Sequence, residues 1–297
     1  MSSGPILPYF DFILALLAQK NRAVETSFGR HVHFGYWAEP DRAADDDEGF
    51  ARAAEQLSLE LCRLAGIASG DRVLDAGCGF GGTLALLNDH YRDLRLVGLN
   101  LESRQLDRAR QLVRPANGNL LELQQGDACA LPFADGSFDR VLAVECIFHF
   151  PSRETFLREA FRVLRPGGTL ALSDFVPSTL FRPVARLATE SRHLARFQYF
   201  GRCDIGCTVR GYRRLAREIG FESLAERDAT RNVLPTWGYL KVLLGQAARI
   251  EGITGPVVQF MDVLRIVSRL GLLNYYLIGL RKPIDAAQAA PASPKSG

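Results

Sequence analysis

Residues 73–82, VLDAGCGFGG, run a branched apolar strand directly into a glycine-rich turn, and this junction limits the possible folds more than any other stretch. Glycines at 77, 79, 81 and 82 let the backbone turn tightly and approach a ligand closely. The residues that follow, GGTLALLNDHYR, have the apolar spacing of a helix, so the unit reads strand, turn, helix. Further strand patterns follow: LRLVGLN, LLELQQGD, FDRVLAVE and GTLALSDF. The stretches SRQLDRARQLV and SRETFLREAFRVL lie among them at helical spacing. Strands alternating with helices predict a parallel sheet covered on both faces.

Beyond residue 175 the rhythm changes. Residues 176–217 read as helix and loop and hold nine arginines against only Glu190 and Asp204. This insertion is expected as a helical cap over the C-terminal edge of the sheet. The β/α pattern then resumes with GYRRLAREIGFESLAERD and closes on a last strand, NYYLIGLRKP. The organisation expected is a helical lid over 1–54, a main domain over 55–282 carrying the cap, and a disordered tail over 283–297. The 297 residues, 47% of them hydrophobic and 23% charged, are those of a soluble globular chain. A net charge of +3 gives no electrostatic case for nucleic acid.

The N-terminal apolar stretch is broken by Pro8 and Asp11 and is too short to span a bilayer, which leaves peripheral contact with a membrane surface open. It has neither the basic lead-in nor the cleavage site of a secretory leader. Six cysteines without CxxC pairs suggest neither a disulfide framework nor a zinc site, so a reducing cytoplasm is the expected setting. His31 and His33 lack further ligands at metal-binding spacing, and no metal is expected.

Gly77, Gly79 and Gly82 fit GxGxxG, a pattern that by itself also suits dinucleotides. Charge decides the ligand. A carboxylate at Asp75, two residues before the first glycine, would repel a pyrophosphate but suits an ammonium group. After the second strand, Asn100 stands where an acid would hold an NAD ribose, with Gln105 one helical turn on; both amides can bond ribose hydroxyls. After the third strand, Asp127 and Ala128 offer an acceptor and a small flat contact suited to an adenine. No Tyr-x-x-x-Lys pair supports nicotinamide-dependent reduction.

These motifs resemble class I S-adenosylmethionine-dependent methyltransferases over residues 55–175. HVHFGYW at 31–37 and ECIFHFPSRETFLREAFRVLRPGG at 145–168 resemble the small-molecule branch of natural-product and quinone pathways. The resemblance implies a doubly wound α/β fold with a mostly parallel seven-stranded, Rossmann-like sheet. It also implies S-adenosyl-L-methionine as cofactor, held by Tyr36, Asp75, Gly77, Gly79, Gly81, Asn100, Leu101, Gln105, Asp127, Ala128 and Glu145. Asn100 departs from the usual acid at its position; the Asn-Leu-x-x-x-Gln arrangement of residues 100–105 is similar to that of a subgroup.

In the O-methyltransferases it resembles, a histidine pair follows the fourth strand and an aspartate follows the fifth. Here His149 matches the second histidine, Phe148 replaces the first, and Asp174 matches the aspartate. His149 is therefore the expected general base, with Asp174 and Glu145 as the other candidates. O-methylation of a hydrophobic secondary metabolite is the favoured activity, and C-methylation of a quinone, phenol or isoprenoid the alternative. The arginine-rich cap suggests an acceptor that is anionic or carrier-bound, met by Arg192 and Arg196 among Phe181, Phe197, Tyr199 and Phe200. The Asn/Asp-Pro-Pro-aromatic signature of nucleic-acid amino methylation is missing.

Overall fold

A computed structural model describes residues 8–44, 46–190, 203–251 and 255–284. A seven-stranded sheet is at its centre. In chain order the strands are β1 (Arg72–Ala76), β2 (Arg95–Asn100), β3 (Leu120–Gln125), β4 (Phe138–Ala143), β5 (Leu164–Pro177), β6 (Glu222–Asp228) and β7 (Leu273–Arg281). Their spatial order is β3-β2-β1-β4-β5-β7-β6. Strands β1 to β5 run parallel, and β7 pairs antiparallel to both β5 and β6. The doubly wound, mostly parallel sheet expected from the sequence is therefore present.

The inner strands are apolar because helices cover them on both faces. Val73, Leu74, Ala76, Val141, Leu142, Leu170 and Leu172 are all fully buried. Helices α4 (Gly82–His90), α5 (Ser103–Leu112) and α6 (Arg153–Val163) are the crossovers. Before β1 lie α1 (Pro8–Ala18), α2 (Arg22–Phe28) and α3 (Asp47–Ala65). Helix α3 buries a stripe at Phe50, Ala53, Ala54, Leu57, Leu61, Cys62 and Ala65, begins on an Asp46 cap and stops at Gly66 in the left-handed region. The expected boundary at 54/55 falls inside this helix, whose apolar stripe belongs half to the lid and half to the sheet cover.

The lid proper is pinned rather than loose. Phe10, Ile13 and Leu16 of α1 are buried with Phe28, Trp37 and Phe80, and with Tyr239 and Leu243 of α9 (Thr230–Glu251). The strap between α2 and α3 bonds to α9 through Gly35 N–H to Thr236 Oγ1 at 3.1 Å and Trp37 N–H to the Asn232 carbonyl at 3.0 Å. Helix α10 (Gly255–Arg269) packs on α9 and leads into β7. Of the cap, the described part is α7 (Arg182–Glu190), the segment from Cys203 and α8 (Val209–Ile219). Arg192, Arg196, Phe197, Tyr199 and Phe200 lie outside the described residues, as does nearly all of the expected tail. No helix among the described residues is long and apolar enough to cross a membrane.

Candidate active site

The strand order reverses between β1 and β4, where the crossovers leave the sheet on opposite faces and open a crevice beyond the strand ends. A cavity of about 1020 Å³ occupies that crevice. It is at the upper end of the range for small-molecule sites, with room for a nucleoside cofactor and an acceptor together. The ends of β1, β2, β3 and β4 supply Asp75 and Gly77 to Gly79, Leu99 to Glu102, Gly126 to Ala128 and Val144 to Cys146. The lid supplies Tyr9, Phe10 and residues 30–33, and the cap supplies residues of α7 and α8.

The glycine loop is built for close approach. Gly77 has φ +81°, and a Cβ on it would stand 2.8 Å from the Cys146 Cβ. Cys146 itself is a buried filler whose Sγ bonds the Ala76 carbonyl at 3.0 Å. Asp75, 1% exposed, has a side-chain oxygen, Oδ1, with no hydrogen-bond partner in the protein. Burial raises its carboxyl to about 7. A buried, unpartnered carboxyl oxygen on the wall of a cavity is what an incoming cation requires, and Asp75 presents one there.

Asn100 and Gln105 both line the cavity and bond one another, Nδ2 to Oε1 at 2.8 Å. Asp127 caps its own turn, accepting the Cys129 N–H at 2.8 Å, and Ala128 is buried beside it. Gly79 and Leu101 are also on the wall. Together with the unpartnered Asp75 oxygen and the cavity's volume, these residues fit S-adenosylmethionine.

Two of the expected cofactor residues are elsewhere. Tyr36 turns away from the cavity: its N–H bonds the Ala53 carbonyl and its ring lies under Arg227, 5.5 Å from the guanidinium carbon. Its ring therefore lies on the outer side of the strap. Gly81 serves packing, since it starts α4 at φ +80° and a Cβ there would meet Ala109 and Val113 of α5.

Of the candidate bases, His149 and Glu145 reach the wall and Asp174 does not. His149 ends a single 3-10 turn, residues 147–149, its Nε2 3.4 Å from the Tyr9 hydroxyl and its Nδ1 3.7 Å from Cys203 Sγ. Glu145 sits at φ +50°, and its Oε2 accepts the Phe34 N–H at 3.0 Å and the Tyr275 hydroxyl at 2.7 Å. It thereby ties the lid to β4 and β7. Burial, against those two hydrogen bonds, raises its carboxyl to about 8.

Asp174 is fully buried behind the wall. Its Oδ2 accepts from Arg153 Nε at 2.9 Å and from the Tyr212 hydroxyl at 2.5 Å. Burial raises its pKa against the pull of Arg153. Arg153, 5% exposed, bonds Asp204 of the cap through Nη1 at 2.6 Å and the Asp204 carbonyl through Nη2. The Asp204 N–H returns to the Phe148 carbonyl at 2.8 Å, so this ion-pair cluster fastens the cap to the turn that carries His149. Arg153, Tyr212, Tyr275 and Tyr9 had no signal in the sequence: the three tyrosines come from elements distant in the chain, and Arg153, four residues after His149, has its partner Asp174 on β5. A buried arginine facing a strand-end aspartate is recognisable only once α6 is packed on β5.

Residues 74–172 match the family described as methyltransferase domain. The chain is 32% identical over 224 residues to methyltransferase GfsG of Streptomyces halstedii, covering 73% of this chain and 75% of that one. It is 30% identical over 269 residues to the 27-O-demethylrifamycin SV methyltransferase of Amycolatopsis mediterranei, covering 86% and 91%. A sterol 24-C-methyltransferase of Eremothecium gossypii is 29% identical, covering 84% and 68%. Among solved structures, the [4+2]-cyclase SpnF superimposes with a TM-score of 0.69 at 22% identity over 96% of this chain and 98% of that one, a likeness of fold.

Proposed function

The chain belongs to the class I S-adenosylmethionine-dependent methyltransferases that act on small molecules, and from that premise we propose that it methylates a hydroxyl of a hydrophobic secondary metabolite, with His149 as the general base. The observation that carries this reading is the imidazole of His149 on the cavity wall at the end of β4, beside the Tyr9 hydroxyl. Of the other candidates, Asp174 spends its Oδ2 on Arg153 and Tyr212 behind that wall, and Glu145 spends its Oε2 on the Phe34 N–H and the Tyr275 hydroxyl. The name of the rifamycin relative, an O-methyl transfer, supports the same choice.

The bound sulfonium supplies an already activated methyl group. What remains for the protein is to hold the acceptor oxygen in line, keep water out and accept one proton. His149 takes that proton at the hydroxyl oxygen. Tyr9, Phe148 and Phe150 supply apolar wall around it. On the cap side Arg182, Arg186, Arg210 and Arg214 line the same cavity and stay exposed, which suits an anion on the acceptor or its carrier.

Incubation with labelled cofactor and a panel of polyketide alcohols, phenols and quinones tests the assignment, the new methyl being located by mass spectrometry. Methyl on oxygen is expected. His149→Gln should lower kcat by about 10²- to 10⁴-fold with S-adenosylhomocysteine affinity unchanged; wild-type kcat would refute the base. Methyl on carbon would favour the second reading, a C-methyltransferase of quinones, phenols or isoprenoids, which the sterol relative supports. There Glu145, a half-buried carboxyl on the wall, would steady the carbon centre.

A further inference from the structure

The strap residues Arg30 and His31 face the glycine loop, and each leaves one buried polar atom unpartnered at the cavity wall: Arg30 Nε and His31 Nε2. His31 is 5% exposed. It packs against the first residue of α4, where a Cβ on Gly82 would stand 2.5 Å from His31 Nδ1 and from the Arg30 carbonyl. With Asp75 Oδ1, three such atoms therefore line the side of the cavity formed by β1, the glycine loop and the lid, away from the cap. An unpaired buried polar atom has lost its water without gaining a partner, so three on one wall call for a ligand of matching polarity.

Which of the three donate is set by a hydrogen-bond chain. His33 Nδ1 lies 2.9 Å from the Phe34 carbonyl, which can only accept, so Nδ1 carries the His33 proton. His33 Nε2 is then an acceptor. His31 Nδ1, 3.1 Å away, must donate to it. Ser58, 3.1 Å from His33 Nε2 and 3.0 Å from Thr83 Oγ1, closes the chain on α4. Both rings are neutral, because burial lowers His31 well below its ordinary range and His33 to about 4. A neutral His31 with its proton on Nδ1 presents a bare lone pair at Nε2. Two acceptors, Asp75 Oδ1 and His31 Nε2, and one donor, Arg30 Nε, thus belong to residues that line the same cavity.

We propose that His31 Nε2 and Asp75 Oδ1 together accept the ammonium of the cofactor's amino-acid end, and that Arg30, whose Nη2 pairs with Asp89 of α4 at 2.7 Å, holds its carboxylate through the unpartnered Nε. The inference rests on the cofactor reading and adds the residues that discriminate the two poles of that zwitterion. The Phe34 carbonyl, three residues from His31, is the positioning group, since it sets both tautomers. The HVHF segment then has a chemical reason for its paired histidines: one recognises, and the other holds it in the recognising form.

Calorimetry on the full chain tests this with three ligands: S-adenosylhomocysteine, its analogue lacking only the amino group, and 5′-methylthioadenosine, which lacks both poles. His31→Asn keeps a donor on the Nδ1 side and removes the Nε2 acceptor. It should weaken S-adenosylhomocysteine about tenfold and leave the deaminated analogue unchanged. His31→Gln, which returns an oxygen near the Nε2 position, should recover part of the loss. Arg30→Met should weaken both carboxylate-bearing ligands and spare methylthioadenosine. Independently, ¹⁵N NMR of the wild-type protein should show His31 Nε2 without a proton. Equal loss of all three ligands in His31→Asn, no loss at all, or a protonated Nε2 would each overturn the proposal. A wild-type protein that binds none of the three would instead refute the cofactor reading on which it stands.

Discussion

Replacing Asp75 by asparagine should strengthen the free protein at neutral pH while weakening its hold on the cofactor. Burial holds the Asp75 carboxyl at about 7 in the folded chain, against 3.8 for the ordinary group. Below pH 3.8 the carboxyl is protonated folded and unfolded alike, and ionisation costs nothing. Between 3.8 and about 7 the unfolded chain releases the proton and the folded chain keeps it, so folded stability falls as pH rises and levels off above about 7. Converted at about 1.4 kcal/mol per tenfold, the loss is about 1.7 kcal/mol at pH 5 and about 4 kcal/mol at pH 8. Asparagine does not titrate. The stability difference between Asp75→Asn and wild type should therefore grow by about 2–3 kcal/mol from pH 5 to pH 8 in favour of the variant. Comparing two pH values removes any constant offset from exchanging amide for carboxyl, and Glu145 titrates alike in both proteins. Urea unfolding at the two pH values measures it. On the same samples, S-adenosylhomocysteine should bind the variant about 10- to 100-fold more weakly at pH 8, the worth of a charge-assisted hydrogen bond. A pH-independent stability difference, or unimpaired binding, would refute the reasoning.

Gly77→Ala should cost about 1–3 kcal/mol in urea unfolding, because φ of +81° strains an L side chain and its Cβ meets Cys146 at 2.8 Å; removing the Cys146 side chain as well should recover only part of this. Arg153→Met leaves Asp174 buried without its cation and should destabilise by about 3–5 kcal/mol, with faster proteolysis of the cap. Wild-type stability in either variant would refute its argument. Arg210→Glu should raise the acceptor KM several-fold without changing S-adenosylhomocysteine affinity, and an unchanged KM removes the anion reading of the cap.

What the amino-acid order determined by itself was local or periodic. The β/α alternation, the turn at residues 77–82 and the polar residues just past β1, β2 and β3 are all encoded within a few neighbours, and parallel strands bring their C-terminal ends to one edge. Asp75, Asn100, Gln105, Asp127 and Ala128 were legible for that reason. What only tertiary structure decided is where residues from separate elements meet. Asp174 was legible as a strand-end acid, but Arg153 of α6 and Tyr212 of α8 close over it and turn a candidate base into an anchor for the cap. Tyr36 was the aromatic expected at the cofactor, yet its ring faces Arg227 on the outer side of the strap, and Arg30, His31 and His33 are the strap residues at the cavity. Side-chain direction in an irregular strap follows from what it packs against, here Ala53, Thr236 and the start of α4, and no spacing along the chain records those contacts.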